Sequence, residues 1–381
     1  MAHPPSLPDD PLREEMERTI ERLDLARRYR ELDRAPSFPR AEFRGMGEAG
    51  WLGLRTARAL GGRELPLPRV GRLLFRLARS GGTTFAKLAL QPEFCSVLAE
   101  EGSEELVEAW FRPLVRGERL VGNQLTEPTA GSDATAIAMR ARRDGDAYVL
   151  DGEKSEVAFA EEAEAAIVYA RVPGADPKRE ITAFLVPQDL PGVTREAGPP
   201  DLGERWMRRG TVRYSGVRLP SRYRIGDEGR GFDYVRRELV RERALLAAIY
   251  LGVARASWEE TVAHVERRVA FGAPLSAQEA VAFPLVGDEG RLEAAGLYVQ
   301  RTLERLDRGE DAEADSAIAK CMATDVALEA LDHAIQFHGG RGYSGELPHE
   351  QRYRDVRSGR IAHGPSEVLL AIAARRLWRR G

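Results

Sequence analysis

Near its carboxyl end the chain reads IAHGPSEV (361–368), a stretch with two features that chemistry can use. Gly364-Pro365 followed by Ser366-Glu367 is a helix opening, with Pro365 in the first turn where its missing N–H costs nothing. Such an opening offers free backbone N–H groups to an anion or a polarised carbonyl. His363, one residue outside it, carries an imidazole whose ordinary pKa suits proton transfer near neutral pH. A second stretch, LTEPTAGSD (125–133), sets small residues beside hydroxyls. Its backbone can approach a flat ring system, with Thr126 and Ser132 as hydrogen-bonding groups; a Gly-rich turn with capping hydroxyls has the same composition. HGGRGY (338–343) is equally two-sided, since paired glycines also end helices.

These stretches must be positioned by 381 residues, enough for two or three domains. Residues 1–120 read mostly as helix after a loose first ten. LREEMERTIERLDLARRYREL, PRVGRLLFRLARS and EELVEAWFRPLVRG are separated by Pro/Gly-rich punctuation. Over 121–225 the segments become short and β-branched or alternating: AIAMRARRDGDAYVLDG, AAIVYARV, ITAFLVP and TVRYSGVRLP. Asp-Gly pairs at 144–145 and 151–152 suit hairpin turns. From 226 to 381 the pattern is helical again, with stretches at 233–270, 278–308, 312–338 and 365–380 that predict a bundle. The expected fold class is multidomain α and β: an N-terminal helical domain, a middle β-barrel or sandwich domain and a C-terminal four-helix bundle.

Composition narrows the function classes. A charged fraction of 31% with 43% hydrophobic residues is ordinary for a soluble globular protein. The formal net charge of −3 favours neither nucleic acid nor an acidic membrane surface. There is no basic tail or aromatic-interleaved patch of the kind that binds nucleic acid. Cys95 and Cys321 are the only cysteines and match neither a disulfide framework nor a zinc spacing, so no metal is expected. MAHPPSLPDDPLREE lacks an apolar signal core, and the longest apolar run, ALLAAIYLGVA (244–254), is too short to span a bilayer. The expected setting is soluble, reducing and cytoplasmic, without a membrane partner.

Five ordered stretches resemble the acyl-CoA dehydrogenase family of flavoproteins: LTEPTAGSD; DGDAYVLDGEK (144–154); GVRLP…IGDEGRGF (216–232); RRVAFGAPL (267–275); and QFHGGRGYSGELPHEQRYRDVRSGRIAHGPSEV (336–368). The resemblance covers nearly the whole chain. It implies the same α–β–α layout, FAD as cofactor, an acyl-CoA substrate and a homodimer or homotetramer with FAD at a subunit boundary. It also implies an electron-transferring flavoprotein as electron acceptor. By resemblance, Leu125, Thr126, Gly131, Ser132, Val157, Ala158 and Glu367 contact FAD. Arg268, Phe271, Gln336 and Gly340 reach its pyrophosphate and adenine side from a neighbouring subunit, Arg268 by a charge-assisted contact. Ser132, Arg243 and His363 fall at substrate-binding positions.

The family removes a proton α to a thioester and passes the β-hydrogen to the flavin as hydride, so the protein must supply a base and polarise the carbonyl. Most members place a catalytic Glu directly before the Gly of the last motif, where this chain has His363. A minority, isovaleryl-CoA dehydrogenases among them, place it on the first long helix of the bundle before an Arg, which here is Glu242-Arg243. The local sequence supports Glu242 independently. Its helical neighbours are Glu238, Leu239, Leu245 and Leu246, with no cation, and a carboxylate on such a face resists ionisation. The alternative is a solvent-edge carboxylate favoured by the helix dipole. His363 is a weaker base against an α-proton, yet its backbone N–H can still polarise the thioester carbonyl.

Several positions depart from the family pattern. An aromatic residue, Ile or Val, then Thr or Ser is usual after DGEK, where this chain has Glu156, Val157 and Ala158. The usual Gln of the FGAPL segment falls on Glu279, with Gln278 displaced by one, and Pro365 replaces a hydroxyl residue. These changes keep two alternatives open beside an acyl-CoA dehydrogenase: a flavin oxidase or monooxygenase on the same fold, and a degenerate, non-catalytic FAD- or acyl-CoA-binding paralogue.

Overall fold

A computed structural model describes residues 11–174 and 179–378; the first ten residues, expected to be loose, and positions 379–380 of the helix expected over 365–380 lie outside them. The amino-terminal part consists of α1 (Pro11–Arg22), α2 (Leu25–Arg34), α3 (Arg40–Glu48) and the long α4 (Leu67–Ala89), followed by α5 (Ser96–Glu101). The helix read over LREEMERTIERLDLARRYREL is two helices, broken at Asp24 in the left-handed region (φ 49°). Met16, Thr19 and Ile20 are buried on one side of the break and Leu25, Tyr29 and Leu32 on the other. The step from 20 to 25 is out of phase with a 3.6-residue repeat, and the break resets the buried face. Helices α6 (Glu104–Leu106) and α7 (Arg112–Val115) are joined by a π-turn (Val107–Phe111), a widening next to Pro113, which has no N–H to donate.

The middle part is an eight-stranded sheet: β1 (Val121–Gln124), β2 (Arg140–Asp144), β3 (Ala147–Val157), β4 (Ala165–Arg171), β5 (Ile181–Pro187), β6 (Val193–Ala197), β7 (Gly210–Pro220) and β8 (Arg224–Ile225). The strand order is β6-β7-β3-β2-β4-β5-β8, with β1 parallel to β4. Inward residues such as Ala141, Leu150, Val168, Phe184, Val212 and Val217 form a separate core. The β2–β3 hairpin pairs Asp144 with Ala147, so Gly145, at φ 62°, opens its two-residue turn. The second Asp-Gly pair is no turn. Gly152 lies inside β3 at a register shift against β7, where a Cβ would stand 2.7 Å from Met139 Cγ. The missing side chain lets the strand bend across Met139.

The carboxyl-terminal part begins with α8 (Gly231–Arg267), then a short hairpin of β9 (Val269–Ala270) and β10 (Ala273–Pro274). Helices α9 (Glu279–Asp307), α10 (Glu313–His338), α11 (Gly340–Tyr343), α12 (His349–Arg357) and α13 (Ser366–Trp378) complete the bundle. Packed against α4, α9 and α10, α8 is buried on every side over Glu242–Ser257, which explains why ALLAAIYLGVA is apolar all round. No helix among the described residues is long and apolar enough to cross a membrane.

The three parts meet in a buried polar knot. Asp355 on α12 accepts from Tyr29 Oη (2.7 Å) and from the backbone N–H of Glu204 (2.6 Å). Glu204 pairs with Lys87 Nζ on α4 at 2.5 Å and accepts from Ser358 Oγ at 2.6 Å. Each buried charge is thus paired or hydrogen-bonded, which fixes how the helices frame the sheet.

Candidate active site

Glu242 lies three turns into α8 and is only 3% exposed, so it is an interior group. Burial, then the charges of Glu238 and Glu93, hold its carboxyl well above the ordinary carboxylate range against the opposing pull of Arg241 and Arg243. Glu238, one turn earlier, is equally buried but differently employed. Its Oε1 accepts from the backbone N–H of Val97 (2.7 Å) and from Ser96 Oγ (3.1 Å), and Tyr169 Oη donates to Oε2 at 3.3 Å. Glu238 therefore caps α5, and burial pushes its carboxyl up to about 8. Arg241 is tied to Glu93 at 2.7 Å and to Glu100 at 3.0 Å, and donates to the same Ser96 Oγ at 2.7 Å.

Opposite Glu242 stands His363, whose Nε2 is 3.4 Å from Glu242 Oε2. Its ring leans on Phe94 with centroids 5.2 Å apart, and its side chain keeps 27% of its surface open. Burial first, then the charges of Lys320, Lys87 and Arg243, hold the imidazole well below its usual range. His363 is in the left-handed region (φ 56°) and Gly364 follows at φ 101°, so the chain turns sharply into α13.

Two buried cations grip the backbone of that turn. Arg243 Nε donates to the His363 carbonyl at 3.0 Å. Lys320, on α10 and 1% exposed, donates through Nζ to the Ala362 carbonyl and, at 2.7 Å, to the Gly364 carbonyl. Three successive carbonyls, 362 to 364, are held by two side chains. Burial depresses the Lys320 ammonium to about 7.

The LTEPTAGSD loop is braced from beneath. Glu127 is buried, accepts from the N–H groups of Ala138 (2.5 Å) and Met139 (3.1 Å), and pairs with buried Lys154 at 2.8 Å. Lys154 also donates to the Leu125 carbonyl at 3.0 Å, and the Ser155 N–H donates to the Thr126 carbonyl at 3.0 Å. These bonds bring Leu125 and Thr126 beside the end of β3, where Val157 and Ala158 follow a bulge with Glu156 at φ 55°; Gly131 and Ser132 follow in the same loop. The hydroxyls of Thr126 and Ser132 have no partner among the described residues, and a Cβ at Gly131 would meet nothing closer than 4.0 Å. Glu156 points outward to Arg209 at 3.0 Å.

Arg268, Phe271, Gln336 and Gly340 lie elsewhere. Arg268 follows the end of α8, about 39 Å along the helix axis from Glu242 at 1.5 Å per residue. It has no side-chain partner among the described residues, which leaves its fork for a phosphate. Phe271 is 97% exposed. Gln336 is exposed in the last turn of α10 and Gly340 at the start of α11, Glu367 is exposed in the first turn of α13, and Glu279 begins α9 with Gln278 as its cap. FAD fits the open hydroxyl-bearing loop and the free guanidinium, but one chain does not draw the two groups of residues together. Sequence reasoning passed over Lys320, although a lysine flanked at helical spacing by Ser316, Ala317, Ala323 and Thr324 is the signature of an ammonium inside a helix contact.

Comparison with known proteins matches all three parts of the chain. The family models "Acyl-CoA dehydrogenase, N-terminal domain", "middle domain" and "C-terminal domain" match residues 10–118, 122–217 and 229–378. The chain is 32% identical to the mitochondrial short-chain specific acyl-CoA dehydrogenase of Mus musculus, over 92% of this chain and 85% of that one. It is 33% identical to the benzylmalonyl-CoA dehydrogenase of Aromatoleum aromaticum, over 90% and 91%. Butyryl-CoA dehydrogenase from Megasphaera elsdenii superposes with a TM-score of 0.91 at 27% identity, covering 98% of this chain and all of that one.

Proposed function

The chain belongs to the acyl-CoA dehydrogenase family, and from that premise we propose that it catalyses FAD-dependent α,β-dehydrogenation of an acyl-CoA thioester with Glu242 as the base. The observation that carries the assignment is the buried Glu242 carboxyl, held well above its usual range and facing the turn that opens α13. In its ionised form this group takes the α-proton of the substrate, and its raised proton affinity supplies the driving force. His363 Nε2 is the neighbouring group that can share the proton afterwards. The backbone N–H of His363 polarises the thioester carbonyl and lowers the acidity barrier at the α-carbon. Arg243 keeps that turn in register through the His363 carbonyl. FAD, when bound, supplies the two-electron acceptor for the hydride that leaves the β-carbon.

Thr126, Gly131, Ser132, Val157 and Ala158 form the flavin-side cradle, and Arg268, Phe271, Gln336 and Gly340 serve a neighbouring subunit's FAD. A homodimer or homotetramer accords with exposed apolar side chains, Phe271 in the β9–β10 hairpin, Phe283 (65%) and Val286 (71%) on α9 and Tyr343 (83%) on α11. Electrons then pass to an electron-transferring flavoprotein, in a reducing cytoplasm that accords with two free, buried thiols.

The test is anaerobic titration of the FAD-loaded protein with a panel of acyl-CoA thioesters. Bleaching of the flavin by at least one member, without peroxide in air, is the expected result. Peroxide formation would favour an oxidase. A bound flavin that no thioester reduces would overturn the reading.

A further inference from the structure

Lys320 is a buried cation at this site that the chemistry above does not use. Its Nζ donates to the carbonyls of Ala362 and Gly364, on either side of His363, and it is 1% exposed. No carboxylate pairs with it among the described residues, and the titratable groups that face it are the Cys321 thiol on its own helix, Arg243 on α8 and Lys87 on α4. A buried ammonium without a counter-charge costs stability that an apolar side chain of the same length would not. It has a geometric effect instead. A trans peptide unit is planar, with C=O and N–H pointing in opposite directions. Holding the Ala362 carbonyl toward α10 therefore turns the His363 N–H away from α10, and that N–H has no acceptor among the described residues. The same contact polarises the peptide, since a carbonyl that accepts from a cation makes its own N–H a stronger donor.

We propose that Lys320 is a positioning residue for catalysis: by holding the carbonyls of Ala362 and Gly364 it aims and strengthens the His363 N–H that binds the substrate's thioester carbonyl. This rests on the assignment of that N–H as the carbonyl-polarising donor. The Lys320 side chain touches no substrate and acts through the backbone alone.

The experiment uses FAD-loaded protein and a push–pull aryl-enoyl-CoA, a product analogue whose absorbance moves to the red when its thioester carbonyl is polarised. Wild-type protein is expected to shift the probe, and Lys320→Met to bind it with the shift largely lost. The kcat for a reducing acyl-CoA should fall roughly 10- to 100-fold with KM changed by less than about threefold, the split expected when transition-state polarisation is lost. Lys320→Arg, which keeps charge and donors, should restore part of the shift. Where Lys320→Met fails to load FAD, Lys320→Gln decides by the same measurements, since it keeps a donor without the charge. A wild-type shift and kcat in Lys320→Met, or in Lys320→Gln where that variant decides, would overturn the proposal. Failure of the underlying assignment looks different: the wild-type protein itself would bind the probe without any shift.

Discussion

His363 Nε2 stands 3.4 Å from Glu242 Oε2, so the turn that opens the last helix and the first helix of the bundle meet through an imidazole and a carboxyl. Burial raises the acid and lowers the base. Both shifts favour the uncharged forms, a protonated carboxyl beside a neutral imidazole. On the proposed assignment, His363 is less a rival base than the group against which Glu242 is set.

Glu242→Gln should therefore reduce flavin bleaching on the order of 10²- to 10⁴-fold, the usual contribution of a positioned general base, while FAD stays bound. His363→Asn keeps the backbone N–H and should retain bleaching within about tenfold of wild type, since only a partner of the base is lost. Stopped-flow reduction under anaerobic conditions measures both. Full activity in Glu242→Gln together with its loss in His363→Asn would reverse the roles.

The pH dependence carries a sign. Glu242 must be ionised to act, so kcat/KM rises with pH through its raised pKa and is lost as pH falls through it. Glu238 receives bonds from the Val97 N–H and Ser96 Oγ that favour its ionised form, whereas among the described residues no N–H or hydroxyl bonds Glu242, so Glu238 ionises first and its charge keeps the proton on Glu242. Glu238→Gln removes that charge. The acid limb of its kcat/KM profile should move to lower pH, and an unmoved or raised limb would contradict the ordering.

Most of the layout was legible because periodicity reports it directly. The long apolar-faced stretches at 233–270, 278–308 and 312–338 are α8, α9 and α10 to within a few residues, and AAIVYARV and ITAFLVP are β4 and β5. What sequence pattern missed depends on contacts between distant segments. Asp151-Gly152 has turn composition, but packing on Met139 makes it a strand bend. The acidic and apolar neighbours of Glu242 were readable at i±3 and i±4, whereas the approach of His363 and the role of Glu238 as cap of α5 come from tertiary packing. Lys320 left a trace in its small helical neighbours, yet its partners are backbone carbonyls, which no side-chain pattern reveals.

The knot between the three parts should respond to pH. Burial first, and Glu204 next, push the Asp355 carboxyl up to about 7, above its ordinary value of 3.8. A carboxyl whose folded pKa is raised favours the folded state fully below its unfolded value, and that advantage is lost as pH rises toward the folded one. Asp355→Asn cannot ionise. The stability difference, variant minus wild type, should therefore grow more favourable to the variant from pH 4 to 7, by at most about 1.4 kcal/mol per pH unit. Urea midpoints at several pH values test this, and a flat or opposite trend would contradict it.

Two glycines with nearly the same φ should respond unequally to alanine. Gly82 interrupts α4 at φ 61°, ψ −163°, a region essentially closed to other residues, and a Cβ there would lie 2.3 Å from Tyr29 Cε2. Tyr29 cannot withdraw freely, because its hydroxyl is bonded to Asp355 at 2.7 Å and its ring is buried. Gly145, at φ 62° in the β2–β3 turn, has nothing within 4 Å of its would-be Cβ. Gly145→Ala should cost only the left-handed backbone penalty of roughly 1 to 2 kcal/mol. Gly82→Ala should cost roughly 3 to 5 kcal/mol, because overpacking against Tyr29 adds to the backbone strain. Denaturation midpoints at equal FAD loading compare the two, and equal losses would mean that the α4 kink does not depend on the close approach of Tyr29.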